Sequence, residues 1–357
     1  MPNVQTIRAG IVELPKGLPL VVALTGGTTG IGSYVARALA TTFKNHGSKL
    51  RVYIVGRNTA RAETLLAYGR ETSPGSDWRF VRATDLSLMN DVDRTCEAIM
   101  KQEEEAPFAG GPARLDVLYM SQALSPLQAS HRTTEGIDAQ MSLLYYSRMR
   151  FIQKLTPLLT AAPGTAHVVS IFAGSMEGRV QPGETQIGTP PAAIYGATAV
   201  RNYTVFMKTF FFEKLAEKHA GKISFIHIYP GLVDGPTFYT EVNPSWFRIL
   251  WRVLKPILWL YMTSPEACGE LMLYLATLRY PAKGTAQPDG GSKASGGVAY
   301  STQRELGGGA YGVGRSGDEN KTVSYERVRK DDTAKKVWDH TMEILTEIES
   351  KNTGSQG

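Results

Sequence analysis

Thr25-Gly26-Gly27-Thr28-Thr29-Gly30-Ile31-Gly32 is the stretch on which the fold turns. Before it runs LPLVVAL (18–24), continuous, apolar and rich in branched side chains, the pattern of a strand buried on both faces of a parallel sheet. After it comes SYVARALATTFKNHG (33–47); Ile31, Val35, Ala38 and Leu39 recur at helical spacing, and Gly47 supplies a stop. Strand, glycine-rich turn and helix, in that order, make an anion cradle. Glycines let the backbone turn tightly and approach a pyrophosphate, whose charge then lies against free N–H groups and the positive end of the helix dipole. Gly26, Thr28, Thr29, Gly30, Ile31 and Gly32 are therefore candidate cofactor-binding residues.

The next strand, Leu50-Arg51-Val52-Tyr53-Ile54-Val55, ends in Gly56-Arg57-Asn58. A ribose 2′-hydroxyl at this point is held by a carboxylate and a 2′-phosphate by a cation. Arg57, with Asn58 beside it, thus argues for NADP(H) over NAD(H), an exposed loop arginine being the plainer alternative. FVRATDLS (80–87) reads as a third strand ending in Asp85-Leu86, and LDVLYMSQA (115–123) as a fourth ending in Ser121-Gln122-Ala123. Strands alternating with helix-length segments imply an α/β fold with a doubly wound parallel sheet.

With 357 residues, 42% of them apolar and 20% charged, the chain has ample core for one large domain or two smaller ones and is too apolar to be disordered throughout. Cys96 and Cys268 are the only cysteines and lie far apart, which excludes a disulfide-built scaffold and points to a reducing compartment. Neither they nor the six scattered histidines show metal-ligand spacing, so no metal site is expected. Lys and Arg exceed Asp and Glu by 39 to 33 without the clustered, aromatic-interleaved stripe of a nucleic-acid surface, so no nucleic-acid partner is expected and the charge suits anionic small ligands. The opening MPNVQTIRAGIVELPKG shows no charged stretch followed by an apolar core, and a cytoplasmic location is expected.

The TGxxxGIG form at 25–32, the Asp85-Leu86 pair and Pro230-Gly231-Leu232-Val233 occur in the order found in the short-chain dehydrogenase/reductase superfamily, which the chain resembles from about residue 18 to 280. GGGAYGVG (307–314) and KKVWDHTMEIL (335–345) further resemble a group of fungal members tied to secondary metabolism. The resemblance implies a single extended Rossmann domain, bound NADP(H), hydride exchange at a carbonyl or alcohol carbon, and a homodimer. It extends the candidate cofactor-binding set to Asp85, Leu86, Ser121, Gln122, Ala123, Tyr195, Pro230, Gly231 and Val233, with Thr237 taking over a nicotinamide contact because Gly235 stands at the family's Thr position.

At the catalytic positions the chain departs from the family's Asn, Ser, Tyr and Lys. Tyr195 heads YGATAVRNY and matches the Tyr, but Ala199 stands at the Lys position, Leu144 at the Asn position and Ala173 at the Ser position, so the tetrad is degenerate. An unperturbed Tyr titrates at about 10, and without a neighbouring ammonium it stays a neutral hydroxyl at pH 7, able to donate a proton but a poor base. Ser175 is the best candidate for the missing hydroxyl, in an insertion that also carries Glu177 and Arg179. Tyr145, Tyr146 and Tyr203 lie near the other vacated positions.

After Pro230-Gly231, PSWFRILWRVLKPILWLYM (244–262) is aromatic and apolar but broken by Arg248, Arg252, Lys255 and Pro256, too charged to span a membrane. Two readings stand: a lid over a bulky lipophilic substrate, and an interfacial helix in peripheral contact with a membrane. TVFMKTFFF (204–212) reads as a core or intersubunit helix face, and 282–321, rich in Gly, Ser and Ala, as a loop or irregular cover for the sheet edge ahead of a closing helix. The expected organisation is a Rossmann domain over 1–281 with a helical lid at 236–265, and a Gly-rich, irregular C-terminal extension over 282–357 packed on the same domain. For function, one expectation is NADP(H)-dependent reduction of a carbonyl or conjugated alkene of a lipophilic metabolite. The lost tetrad favours a second, a non-redox isomerase, cyclase or dehydratase using Tyr195 as acid, and a third is a catalytically silent binding protein.

Overall fold

The computed structural model describes residues 2–125, 128, 131–177, 180, 185–235, 238–241, 243–286, 295–319, 325–326, 328–330 and 332–354. In chain order the strands are β1 Leu20–Thr25, β2 Leu50–Gly56, β3 Asp77–Arg82, β4 Val117–Met120, β5 Ala166–Ile171, β6 Ile223–Ile228, the short pair β7 Leu232–Val233 and β8 Met262–Thr263, and β9 Ala310–Val313. The main sheet has the order β3-β2-β1-β4-β5-β6-β9 with every neighbour parallel, so the expected doubly wound sheet is present. β1 lies between β2 and β4, where the strand order reverses, and such a switch point opens a crevice at the carboxyl ends of the strands.

The helices are α1 Val4–Ile11, α2 Gly30–Thr42, α3 Thr59–Thr72, α4 Met89–Glu105, the single turn α5 Ala139–Met141, α6 Ser147–Thr160, α7 Ala197–Lys218, α8 Ser245–Leu258, α9 Pro265–Tyr274 and α10 Thr333–Gly354. β1 shows why two layers form. Val22 and Leu24 point into one buried cluster with Val35 and Leu39 of α2, Leu65 of α3 and Leu271 of α9. Val21 and Ala23 point into the other, with Val92 of α4, Phe151 of α6, Phe206 of α7 and Leu345 of α10. Alternate side chains of one strand thus seed two cores, and each core needs its own helical layer.

One part of the tail differs from the reading of 282–321 as loop, while the expected closing helix is present as α10. AYGV at 310–313 is the seventh strand, pairing in parallel with β6 from Phe225 opposite Ala310 to Ile228 opposite Val313. Its flanking glycines hide a strand only four residues long, all of them buried. The closing helix is longer than its apolar spacing suggested and lies across the second layer: Trp338 stacks on Phe211 at 4.8 Å between ring centres, and Arg150 of α6 pairs with Glu349 at 3.1 Å. The 204–212 run is therefore core, covered by α10 of the same chain. The same helix claims Tyr145 and Tyr146, whose hydroxyls bond Thr341 Oγ1 at 2.7 Å and His340 Nε2 at 2.9 Å.

Candidate active site

A cavity of about 1010 Å³ opens at the carboxyl ends of β1, β4, β5 and β6. The glycine turn forms one end of it. Gly26 has φ +71°, and a Cβ there would come within 2.7 Å of the Gln122 backbone nitrogen, so only glycine fits between β1 and β4. Gly30, φ +54°, opens α2, and a Cβ added to it would meet nothing within 4 Å. Thr29 stands at the N-cap with no side-chain cap bond, so the first amides of α2 have no intrahelical partner and face that open space. An oxyanion suits this cradle on charge and on space.

Thr28, Thr29, Gly30, Ile31, Arg57, Asp85, Leu86, Ser121, Gln122 and Ala123 line the cavity with Gly26, and Pro230, Gly231 and Val233 line its far side, together with Tyr195. The structure brings these candidates to one cavity although they come from six connections, those that follow β1 to β6. Three qualifications are structural. Gln122 turns its amide inward, accepting from Thr25 Oγ1 at 2.6 Å and donating to Ser147 Oγ at 3.3 Å, so it presents backbone to the cavity. Gly32 lies behind the lining, where a Cβ would be 2.6 Å from the Gly26 carbonyl oxygen. Asn58 is outside the lining and caps α3, accepting from the Arg61 amide at 2.9 Å. Thr237, like Arg179, falls outside the described residues.

The catalytic end is different in kind. Leu143, Leu144, Phe172, Ala173 and Val200 line it, so apolar side chains occupy the positions where the family keeps its Asn and Ser. Leu144 lies in a π-helical turn, Ser142–Tyr146, that joins α5 to α6, a distortion frequent at functional sites. Tyr195 precedes α7 rather than heading it, in extended conformation two residues before Ala197. That offset resets the face α7 shows: Ala197, Val200 and Arg201 reach the cavity, while Ala199 and Tyr203 do not, and Tyr203 packs against the core. Ser175, φ +60°, leaves the cavity too, its hydroxyl beside Gly314 just past β9. Glu177 is buried against His227 of β6, Oε1 to Nε2 2.7 Å.

Tyr195 is not isolated. Its hydroxyl donates to Asp138, 2.9 Å to Oδ2 and 3.0 Å to Oδ1, and Asp138 also accepts from the Met141 amide at 2.9 Å as the N-cap of α5. Arg201 is the cation of this end; its Nε is buried and has no hydrogen-bond partner among the described residues.

Arg148 ties the two ends together. Wholly buried, it donates from Nε to the Leu143 carbonyl at 3.1 Å, from Nη1 to Ser170 Oγ at 2.8 Å and from Nη2 to the Gln122 carbonyl at 2.8 Å. Burial pushes its guanidinium down to about 9, which still leaves it charged at pH 7. One side chain therefore fixes the π-turn, β5 and the end of β4 relative to one another. Nearby, burial holds the Lys208 ammonium well below the usual lysine range, and its Nζ donates to the Phe172 carbonyl at 3.4 Å. Sequence reasoning passed over Asp138, Arg148 and Arg201, although Arg201 stands within YGATAVRNY. The available signals were an Asp immediately before a helix start, in GIDAQM (136–141), and cations inside the apolar run LLYYSRMRF (143–151).

The cavity is roofed by the excursion between β7 and β8, which pair in parallel at its base. Asp234 anchors it: its carbonyl accepts from Tyr34 of α2 at 2.8 Å and its carboxylate pairs with Lys255 of α8 at 2.6 Å. Phe238, in the lining, stacks on Trp251 of α8 at 4.0 Å. Through Phe238, Trp251 of α8 thus packs behind the cavity lining.

The chain belongs to the short-chain dehydrogenase/reductase family. It is 54% identical over 353 residues, 99% of both chains, to short-chain dehydrogenase/reductase SAT2 of Stachybotrys chartarum, and 33% identical to oxidoreductase andH of Emericella variicolor over 98% of each. Among solved structures, L-sorbose reductase from Gluconobacter frateurii, complexed with NADPH and L-sorbose, shares the fold at TM-score 0.54 and 18% identity, covering 87% of this chain and 100% of that one. The Pseudomonas aeruginosa RhlG/NADP complex does so at TM-score 0.52 and 22% identity, covering 75% and 92%. No protein-family model matches the chain. Among the described residues no helix is long and apolar enough to cross a membrane, and no group of three or more His, Cys, Asp or Glu could hold a metal ion.

Proposed function

We propose that the chain is an NADP(H)-dependent reductase of a carbonyl or conjugated alkene carried by a bulky lipophilic metabolite. The observation that carries this reading is one cavity running from the open cradle at Gly30 to the Tyr195–Asp138 pair. Gly26, Thr29 and Gly30 would hold the pyrophosphate, Arg57 the 2′-phosphate, and Ser121 to Ala123 with Pro230 and Gly231 the nicotinamide half. The cofactor, when bound, supplies the hydride to the substrate carbon. Two solved relatives, the RhlG complex with NADP and the L-sorbose reductase complex with NADPH, support the same ligand.

The chain's own residues then handle the proton. Tyr195 donates to the oxygen, or to the carbon alpha to an enone carbonyl, as negative charge develops there. Asp138 orients the phenol through its hydrogen bond; Arg201, which lines the same cavity, offsets the charge on the phenolate left behind until solvent returns a proton. Leu143, Leu144, Phe172, Val200 and Phe238 exclude water and select an apolar substrate. This favours reduction over alcohol oxidation, which would need Tyr195 as a base.

The test is consumption of NADPH, followed by its absorbance, with a panel of lipophilic ketones and enones. Stoichiometric loss with product supports the reading. Product formed with no cofactor consumed overturns it in favour of the isomerase, cyclase or dehydratase reading, whose own support is the apolar character of Leu144, Ala173 and Ala199.

A further inference from the structure

Helix α8 has two apolar faces, and the inner one is accounted for by Trp251, buried against Phe238, with Phe247 alongside. The outer face is a second stripe. Trp246, Ile249, Val253 and Ile257 follow one another at spacings of three and four residues, so they align along one side of the helix, and each is between 61% and 67% exposed. The stripe continues into Trp259 and Leu260 of the turn that follows, 65% and 73% exposed. Large apolar side chains scattered singly on a surface need no explanation, but a contiguous row does.

Charge selects what covers it. Between 244 and 262 the charged residues are Arg248, Arg252 and Lys255, all cations, of which Lys255 is paired with Asp234. A second copy docked on this stripe about a two-fold axis would bring the same cations face to face, the arrangement that disfavours pairing. An anionic lipid leaflet has the complementary charge, and Trp246 at one end with Trp259 and Tyr261 at the other places indole and phenol rings where headgroup meets acyl chain. At 14 residues α8 is too short to span a bilayer and suited to lie on one. We infer that α8 docks the protein on an anionic membrane surface, outer stripe down. This docking is independent of the reaction assigned to the cavity.

The test is co-sedimentation of the full chain with phosphatidylcholine vesicles made with and without phosphatidylserine. Wild type partitions at least tenfold more strongly onto the phosphatidylserine vesicles, and added salt weakens the binding. Ile249→Glu/Val253→Glu lowers partitioning at least tenfold, and Arg252→Gln lowers it about fivefold, the factor for one juxtamembrane cation. Both variants keep the thermal unfolding midpoint of wild type because the altered side chains are exposed. The inference is overturned if wild type binds neither vesicle, if it binds both compositions equally, or if the double variant binds like wild type. A wild-type dimer that the double variant breaks, with no vesicle binding, overturns it in favour of a second copy.

Discussion

The two ends of the cavity are built on different logics. At the cofactor end, backbone does the work: a glycine turn, a helix start and three strand ends, held by sheet pairing between β1, β2 and β4. Such a site is written into local sequence, because only glycine can occupy Gly26 and because strand, turn and helix are contiguous. At the catalytic end, side chains do the work and come from separate elements. Tyr195 arrives before α7, Asp138 at the cap of α5 and Arg201 from the second turn of α7. The family's spacing rule fails there, and Arg148, buried between the two, sets how they face each other.

Variants of each end should break this contrast or sharpen it. The largest effect is expected at the shared strut. Arg148→Ala strands the Leu143 and Gln122 carbonyls and leaves Ser170 with a lost partner in the interior, at about 3 kcal/mol of stability. Thermal unfolding would show a midpoint several degrees lower, and an unchanged midpoint would deny Arg148 its role. Next, Gly30→Ala fills the open cradle and weakens NADPH binding by about 2 kcal/mol, or roughly thirtyfold in Kd by fluorescence titration, while the unfolding midpoint drops only by the strain of one alanine at positive φ.

Arg57→Glu acts on one charge. It should move the NADPH-over-NADH preference about tenfold toward NADH, the worth of one charge-assisted hydrogen bond; an unaltered ratio of the two dissociation constants would return Arg57 to the status of a loop arginine. The smallest effect is expected from restoring the family's lysine. Ala199→Lys should leave turnover within about twofold of wild type, because residue 199 faces away from the cavity, and general acid–base gains of about a hundredfold require reach. A large gain in rate would mean that α7 presents its first turn differently.

The same contrast explains what the sequence could reveal. The sheet, its parallel pairing and the glycine turn were legible because apolar runs and turn residues repeat along the chain. β9 was not, since four residues between glycines carry no periodic signal and their pairing with β6 is long-range. Tyr195 was legible as a residue but not its surroundings. Asp138 lies 57 positions away, and the start of α7 at Ala197, two residues after Tyr195, is a property of backbone conformation at Tyr195 and Gly196. Ser175 was the natural guess for a hydroxyl by proximity to Ala173, yet left-handed backbone at both residues turns it toward Gly314. The segment at 244–262 raised a choice between lid and membrane helix; in the structure Trp251 of α8 packs on Phe238 of the cavity lining, while Trp246, Ile249, Val253 and Ile257 are exposed.

In the proposed reaction a cofactor cradle at Gly26 and Gly30 meets one proton donor, Tyr195. Tyr195→Phe tests it most directly, with NADPH affinity and single-turnover NADPH oxidation measured on the same protein. The expected affinity is within about twofold of wild type and the expected rate at least about a hundredfold lower. A variant that binds NADPH normally and still oxidises it at the wild-type rate would contradict it.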